Sequence, residues 1–241
     1  MASQDKDMLS EPNNLEESIL KPDISHKESQ NLYNKWAEIG TYDDIHGSAR
    51  NIYKGQEMLG ETMEKLFPDK TNVRLLDAGA GTGLTGEKLY NLGYTNIDAV
   101  EPITKFTEII KERGHYRRIM KQAVGIDIPL DTPDNTYDAV CTVGAFGPGA
   151  IPPGAFMEFI RVTKPGECKS FKKFIRVTQP GGYIINCMRE EYLWTVPQYR
   201  DTLQPYLKDL EKQGLLKEIE WSVYPDHFNS RSGVRMLYRV C

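Results

Sequence analysis

The sequence predicts a doubly wound α/β fold built on a mostly parallel sheet of about seven strands, with a helical cap at its N-terminal side. The first observation is an apolar strand at 73–77 that breaks into a glycine-rich turn and then opens a helix. The second is the alternation of strand-like and helix-like segments from 73 to 240. The third is two final strand patterns, at 216–224 and 234–240, which predict an antiparallel pair at one sheet edge.

The glycine-rich turn predicts a nucleotide-type binding corner. Gly79, Gly81 and Gly83 carry no Cβ, so the backbone there can approach a ligand closely. A strand, such a turn and a helix N-terminus together form an anion- and nucleotide-binding corner. Two other interpretations stay open. The spacing Gly81-x-Gly83-x-x-Gly86 also fits the dinucleotide fingerprint, and such a turn can serve only to pack a helix against a strand.

The carboxylate of Asp77 favours one class of nucleotide. In a dinucleotide-binding turn, the position two before the first glycine is normally an apolar strand residue, and a carboxylate there would repel a pyrophosphate. It would suit a cationic ligand such as S-adenosylmethionine, with its amino group and sulfonium. We therefore predict S-adenosylmethionine as the cofactor, with a NAD-type site as the alternative. The predicted contacts from this turn are Asp77, Gly79, Ala80, Gly81 and Gly83.

A second predicted strand, at 96–101, ends in Glu101, 22 residues after Gly79. An acid about 20 residues past such a turn can accept hydrogen bonds from ribose hydroxyls. We therefore expect Glu101 to bind the ribose of the cofactor, with the adjoining Pro102 beside it.

The chain is expected to divide into a polar, disordered N-terminal tail at 1–27 and one domain at 28–241. That domain consists of the helical cap at 28–70 and a core at 71–241. Within it we predict helices at 45–67 and 196–212. Further strands are predicted at 118–124, 137–143 and 183–188.

An internal repeat interrupts the later part of the core, near 156–181. Residues 156–166 and 171–181 match at an offset of 15, with eight of eleven positions identical. The fold needs one such unit: an amphipathic helix, a Pro-Gly-Gly turn and a strand. Only the second copy continues through Gly182 into a strand. We therefore interpret the first copy as an insertion. Residues 166–173, with part of one flanking copy, are expected to add a helical turn or loop at the surface and to leave the central sheet intact.

Composition excludes several classes of function. The 241 residues carry a net charge of −4, which implies no general attraction to nucleic acid. No apolar run reaches the roughly 20 residues needed to span a bilayer, and the first residues lack a signal core, so we expect a cytoplasmic protein. The four cysteines and four histidines have no metal-ligand spacing, and the scattered cysteines also argue against disulfides.

Four motifs occur in an order that resembles the class I S-adenosylmethionine-dependent methyltransferases. They are Asp-Ala-Gly-Ala-Gly-Thr-Gly from Asp77, the spaced Glu101, Tyr-Asp-Ala-Val from Tyr137, and Pro-Gly-Gly from Pro180. A narrower resemblance is to the methyltransferase-like proteins named after the Williams-Beuren syndrome chromosome region. The motifs that carry it are Tyr33-x-x-Trp-Ala, Val143-Gly-Ala, Ile151-Pro and Val177-Thr-x-Pro-Gly-Gly. The resemblance implies a Rossmann-like methyltransferase sheet and an enzyme that works by in-line displacement at the sulfonium methyl group.

The resemblance also implies further contacts to the cofactor. Aromatic side chains of the cap, here Tyr33, Trp36 and Tyr42, would help close over the cofactor and the acceptor. The fourth-strand motif ends in Val143 at the acceptor side of the cleft. Many relatives place an acid near the adenine; here Val124 holds that place, so we expect apolar and backbone contacts. Asp127 lies nearby but out of step.

The residues after the fourth strand, from Gly144, lack the Asp/Asn-Pro-Pro-Tyr/Phe tetrapeptide that marks methylation of nucleic acid bases and glutamine. We expect a small-molecule acceptor, with neither nucleic acid, membrane nor obligate protein partner. A protein methyltransferase and a non-catalytic nucleotide-binding module remain the alternatives. Catalytic residues are unknown. Tyr42, His46 and His227 are candidates for a general base without spacing to support them, and we expect the histidines at surface or loop positions.

Overall fold

The computed structural model describes residues 12–46, 53–125, 129–166 and 181–241. The helices are α1 (Pro12–Ile19), α2 (His26–Ile39), α3 (Tyr42–His46), α4 (Gly55–Leu66), α5 (Leu84–Asn91), α6 (Thr104–Arg113), α7 (Ala155–Val162), α8 (Tyr192–Thr195) and α9 (Leu203–Lys212). The strands are β1 (Arg74–Ala78), β2 (Asn96–Val100), β3 (Arg118–Met120), β4 (Ala139–Val143), β5 (Tyr183–Arg189), β6 (Leu216–Phe228) and β7 (Arg231–Val240).

The strands form one seven-stranded sheet in the order β3-β2-β1-β4-β5-β7-β6. The pairings from β3 to β5 are parallel, with Asp77 opposite Ala99 on one side and Cys141 on the other. β7 runs antiparallel to both β5 and β6. This arrangement confirms the predicted doubly wound fold, including the adjacent parallel strands β1 and β2.

Helices cover both faces of the sheet because its central strands are apolar on both faces. In β1, Leu76 points into a core with Phe156 and Phe159 of α7. Its neighbour Leu75 points the opposite way, into a core with Leu59 of α4. Successive side chains of a strand alternate between faces, so one short strand anchors both helical layers. The carboxyl ends of β1, β2, β4 and β5 are thereby held at one edge.

The predicted disordered tail is wrong for residues 12–27. Residues 12–19 form α1, and its Leu15 and Ile19 are buried against Trp36 of α2. α2 begins with a capping box between Ser25 and Glu28, which satisfies free backbone donors at the helix start. The apolar residues of α1 are few, so their burial depends on a partner that lies elsewhere in the chain. Residues 1–11 lie outside the described residues.

Several predicted boundaries also moved. The predicted helix at 196–212 is shorter and begins at Leu203, because Asp201 adopts a left-handed conformation (φ +56°) that a helix cannot include. The final strands are longer than predicted, since Asn229 and Ser230 both have positive φ and form a tight two-residue turn. The predicted helix at 45–67 corresponds to α3 and α4, and 47–52 lie outside the described residues.

The first copy of the internal repeat belongs to the core, so its interpretation as an insertion is wrong. It forms α7, whose Phe156, Phe159 and Val162 are fully buried. The prediction of an intact central sheet is confirmed. Gly166 and Gly181 lie so close that a Cβ added to Gly166 would be 2.4 Å from Cα of Gly181. The chain thus leaves and re-enters the fold at one point; the intervening residues lie outside the described part.

Two of the cysteines are free thiols inside the sheet, Cys141 and Cys187. Cys241 is disulfide-bonded, so the expectation of a chain without disulfides is wrong at this position. Among the described residues, no group of histidine, cysteine and acidic side chains could hold a metal ion. No helix in this part of the chain is long and apolar enough to cross a membrane.

Candidate functional site

A cavity lies at the carboxyl ends of β1, β2, β4 and β5, beneath α1 and α2. This is the edge where the strand order reverses, between β1 and β4, and open α/β sheets bind their ligands at such a point. The residues that line it fall into two groups. One group follows β1 and β2 and is called the cofactor end here. The other lies around the ends of β5 and β6 and the loop after β4, with Glu16 of α1 and Tyr53 beside them, and is called the acceptor end.

The glycine turn after β1 forms the floor of the cofactor end. The amides of Gly79 and Ala80 donate to the carbonyl oxygen of Val100 at 2.9 and 3.1 Å. These bonds tie the turn to β2. Gly81 has a positive φ (+55°), and a Cβ added there would meet nothing nearer than Oη of Tyr42, at 4.0 Å. The turn is therefore rigid and open towards the cavity at Gly81.

Glu101, directly after β2, also lines the cofactor end and is 4 % exposed. Its two carboxylate oxygens accept hydrogen bonds from the amides of Gly81 and Ile103, each at 2.8 Å. Burial raises the pKa of Glu101 to about 7, against the opposing effect of these two amides. Each oxygen can accept one further bond. The side chain is thus oriented in advance for hydroxyl donors in the cavity.

Asp77 lies behind the turn and does not line the cavity; it is 1 % exposed. Its Oδ2 accepts a hydrogen bond from the Tyr116 hydroxyl at 2.6 Å, and the same hydroxyl oxygen accepts from the amide of Gly86 at 3.1 Å. Burial raises the pKa of Asp77 to about 7, although the Tyr116 bond lowers it. Asp77 therefore connects β1 to the first turn of α5. It does not face the cavity as its charge had led us to expect.

Two glycines of the motif serve packing. A Cβ on Gly83 would lie 2.8 Å from Cγ2 of Ile110, and one on Gly86 would lie 2.2 Å from Cζ of Tyr116. Neither residue lines the cavity. The formal match to a dinucleotide fingerprint at this point therefore reflects close packing of α5.

The aromatic residues predicted in the cap do line the cavity. The Tyr42 ring centroid lies 5.1 Å from those of both Trp36 and Phe106, and 6.4 Å from that of Tyr33. The neighbouring residue of α3, Asp43, bonds this cluster to the turn.

Asp43 accepts a hydrogen bond from Thr82 Oγ1 at 2.5 Å and forms an ion pair with Arg113 of α6. This contact was missed from the sequence. The available signal was an acid, Asp43, directly after the aromatic Tyr42. An acid there is equally typical of a turn or helix start, so the sequence did not single it out. Three other predicted contacts, Pro102, Val124 and Val143, line the cavity too, whereas Asp127 lies outside the described residues.

The acceptor end contains residues that sequence reasoning missed, among them Glu16, Tyr53, Arg189 and Tyr192. Arg189 is the last residue of β5, and its side chain is 13 % exposed. The guanidinium lies 4.6 Å from the Phe228 ring centroid, a cation–π contact. Its position at the carboxyl end of a central strand was the available signal.

His227 also lines the acceptor end and is fully buried, so the expectation of a surface or loop histidine is wrong. Its Nδ1 lies 2.5 Å from the Tyr224 hydroxyl. Its Nε2 has no hydrogen-bond partner among the described residues. Burial, and then the charge of Arg189, lowers the pKa of His227 to about 3, so the ring is neutral near pH 7. For His46, the side chain lies outside the described residues.

Residues 76–167 match the family described as Methyltransferase domain. A SAM-dependent methyltransferase from Aquifex aeolicus has a similar structure, with a TM-score of 0.54, 16 % identity, and coverage of 85 % of this chain and 97 % of the other. The cyclase SpnF gives a TM-score of 0.60 at 15 % identity, covering 91 % and 98 %. At these identities the structural likeness concerns the fold.

Residues 76–167 match a methyltransferase domain, and together with the strand order and the glycine turn beside Glu101 they support a class I S-adenosylmethionine-dependent methyltransferase. S-adenosylmethionine is accordingly its cofactor. Among curated proteins it is similar to methyltransferase-like protein 27 of Homo sapiens. The two are 28 % identical over 205 residues, which is 84 % of this chain and 73 % of the human protein.

Proposed function

We propose that this enzyme methylates a small-molecule acceptor, which binds at the acceptor end of the cavity. The cofactor end fits S-adenosylmethionine: Gly81 leaves room for a close approach, and Glu101 presents carboxylate oxygens that can accept from ribose hydroxyls. The other proposed contacts are Gly79, Ala80, Pro102, Val124, Val143, Tyr33, Trp36 and Tyr42, all of which line the cavity. Asp77 and Gly83 are proposed to shape the turn from behind.

The cover over the acceptor end supports a small acceptor. Glu16, Ile19 and Leu20 reach the cavity from α1 and the residue after it. His26 Nδ1 lies 2.9 Å from the carbonyl oxygen of Gly149, which joins α2 to the loop after β4. Helices packed over a cleft in this way favour a compact molecule over an extended polypeptide.

The cofactor supplies an activated methyl group with a good leaving group. The protein's main task is then to hold the two reactants in line, which can lower a barrier by on the order of 7–11 kcal/mol at best. The neutral, buried His227 stands at the acceptor end as a polar contact, and no strongly basic side chain is needed for acceptors that are already nucleophilic.

The test is methyl transfer from labelled S-adenosylmethionine into a cell extract that has been separated into a small-molecule and a protein fraction. We expect label in the small-molecule fraction, and its loss with the Glu101→Ala variant. Label in the protein fraction would instead favour a protein methyltransferase. Cofactor binding by calorimetry with no transfer to either fraction would favour a non-catalytic nucleotide-binding module.

A further inference from the structure

Arg189, in the acceptor end, has unused hydrogen-bonding capacity. Its guanidinium lies 3.7 Å from the nearest carboxylate oxygen of Glu16 and 3.6 Å from that of Glu191. Both distances exceed a direct hydrogen bond, and none is formed by this guanidinium within the part of the chain that the structure describes. A guanidinium that is largely buried is stabilised by direct partners. Its planar fork matches a carboxylate with two parallel hydrogen bonds.

His227 offers a second donor in the same wall. Its Nδ1 faces the Tyr224 hydroxyl at 2.5 Å, and the Cys187 thiol hydrogen-bonds to the same hydroxyl. We assign the thiol S–H as the donor to the hydroxyl oxygen, which leaves the hydroxyl hydrogen for Nδ1. The neutral ring then carries its N–H at Nε2. That nitrogen is buried, lacks a partner among the described residues, and belongs to a side chain that lines the cavity.

Two donor groups in one wall, neither directly hydrogen-bonded to an acceptor among the described residues, suit an oxyanion. We propose that the methyl acceptor is a small molecule bearing a carboxylate, which Arg189 binds with support from His227 Nε2. This inference rests on the proposed function and names the acceptor class for the same site. Aromatic side chains of Tyr53 and Tyr192 flank the position, so the remainder of the acceptor can be apolar.

Glu16 makes the proposal sharply testable. It is the carboxylate that approaches Arg189 from α1, and it also lines the cavity. A bound carboxylate would compete with Glu16 for the guanidinium, whereas a bound cation would be attracted by Glu16. Removing this charge must therefore change the affinity for anions and for cations in opposite directions.

The experiment is calorimetric titration of the full chain, saturated with S-adenosylhomocysteine, with benzoate, benzamide and benzylamine. These probes share one ring and differ in charge. We expect benzoate to bind roughly tenfold or more tightly than the other two, as charge-assisted hydrogen bonds imply. Arg189→Met should abolish this preference, and Glu16→Gln should strengthen it. Arg231→Met is the matched control: Arg231 contacts the same Glu191 at 2.9 Å, but its side chain is 63 % exposed and outside the cavity.

Benzoate binding no better than benzamide, or binding of neither, would overturn the inference, as would a preference that survives Arg189→Met. If Arg189→Met does not fold, the Glu16→Gln variant tests the inference instead. A benzoate affinity in Glu16→Gln no higher than that of the wild type would then overturn it. Binding of S-adenosylhomocysteine is measured first. Its failure in the wild type would overturn the proposed function, whereas its success without a carboxylate preference overturns this inference alone.

Discussion

The two ends of the cavity are built in different ways. The cofactor end comes from one strand–helix–strand unit, in which the turn from Gly79 to Gly81 and Glu101 are bonded to each other through backbone amides. The acceptor end assembles side chains from distant parts of the chain, among them Glu16, Arg189 and His227. Its polar groups are incompletely paired within the described residues. The cofactor end is thus organised by local chain geometry, and the acceptor end by tertiary packing.

This difference indicates where variation is tolerated. A rigid turn and a carboxylate oriented by backbone amides leave little freedom in the ligand they bind. Side chains on separate elements can be exchanged without disturbing the turn. We therefore expect substitutions at the cofactor end to affect cofactor binding and stability strongly, and substitutions at the acceptor end to affect mainly the choice of acceptor.

The largest effect is expected for Glu101→Ala at the cofactor end. It removes the acceptor for the amides of Gly81 and Ile103 and, in our proposal, for the ribose hydroxyls. Each charge-assisted hydrogen bond is worth roughly 1.5–3 kcal/mol. We expect the Kd for S-adenosylmethionine, measured by calorimetry, to rise by roughly a hundredfold or more. Glu108→Ala, an exposed acid on α6, is the control. An unchanged affinity of Glu101→Ala for S-adenosylmethionine would contradict the proposed role of Glu101 in binding the ribose.

Tyr116→Phe should show whether the turn needs its support from behind. The change deletes the bond to Asp77 and leaves that buried carboxyl without its donor, while the Gly86 amide loses its acceptor. Unsatisfied buried polar groups cost about 1–3 kcal/mol each. We expect the free energy of unfolding, from urea denaturation, to fall by at least about 2 kcal/mol. The exposed Tyr90→Phe should have no effect. Equal stability of both variants would contradict this role of Tyr116.

The two ends should also respond to pH with opposite sign. The pKa of Glu101 is raised from 4.5 to about 7. Its contribution to the free energy of unfolding is therefore fully present below pH 4.5 and is lost as the pH rises through 7. His227 has a pKa lowered from 6.5 to about 3, so its contribution is present above pH 6.5 and is lost as the pH falls towards 3. One group contributes at most about 1.4 kcal/mol per pH unit.

The measurement is the free energy of unfolding of the cofactor-free protein between pH 4.5 and 6.5. Relative to wild type, Glu101→Gln should make stability rise more steeply with pH, and His227→Gln should make it rise less. Asp77 acts in the same direction as Glu101, since burial raises its pKa as well. Slopes that change together, or not at all, would contradict the opposite titration of the two ends.

The smallest effect is expected for a deletion far from both ends. Removing residues 167–181 joins Gly166 to Gly182 and leaves α7 in place. Gly166 and Gly181 already occupy nearly one point, so the junction needs little movement. Shortening a connection whose two ends already meet changes stability by under about 1 kcal/mol. The deletion also removes Cys168, and Cys241 is disulfide-bonded, so wild type and variant are compared under reducing conditions, where thermal unfolding and cofactor binding should match. A large drop in melting temperature would show that the deleted residues belong to the core.

A matched deletion of residues 156–170 keeps the second copy of the repeat in place of the first. It replaces Glu158 with Lys173, and so loses the acceptor for the Leu130 amide and for the arginine at this position, Arg176 in place of Arg161. We expect this variant to be less stable than the first deletion by roughly 1–3 kcal/mol. Equal stability of the two deletions would mean that either copy can fill the groove.

The sequence by itself determined the sheet and the cofactor end. Alternating apolar strands, a turn that needs positive φ at Gly79 and Gly81, and an acid at the end of the next strand are local patterns, readable without knowing what packs against them. Parallel pairing of β1 and β2 then places the turn beside Glu101 automatically. For this reason, Gly79, Ala80, Gly81, Glu101 and Pro102 line the cavity as predicted. The cap aromatics, Val124 and Val143, which the family resemblance implied, line it as well.

Only the tertiary structure decided the rest. Leu15 and Ile19 look like isolated apolar residues in a polar tail until Trp36 packs against them. Asp77 turns away from the cavity because the Tyr116 hydroxyl, from the segment between α6 and β3, donates a hydrogen bond to it. His227 is buried because β6 extends beyond its predicted end to a place where the Tyr53 ring packs against the imidazole. Burial and hydrogen-bond partners depend on residues far away in the chain, and local patterns carry no information about them.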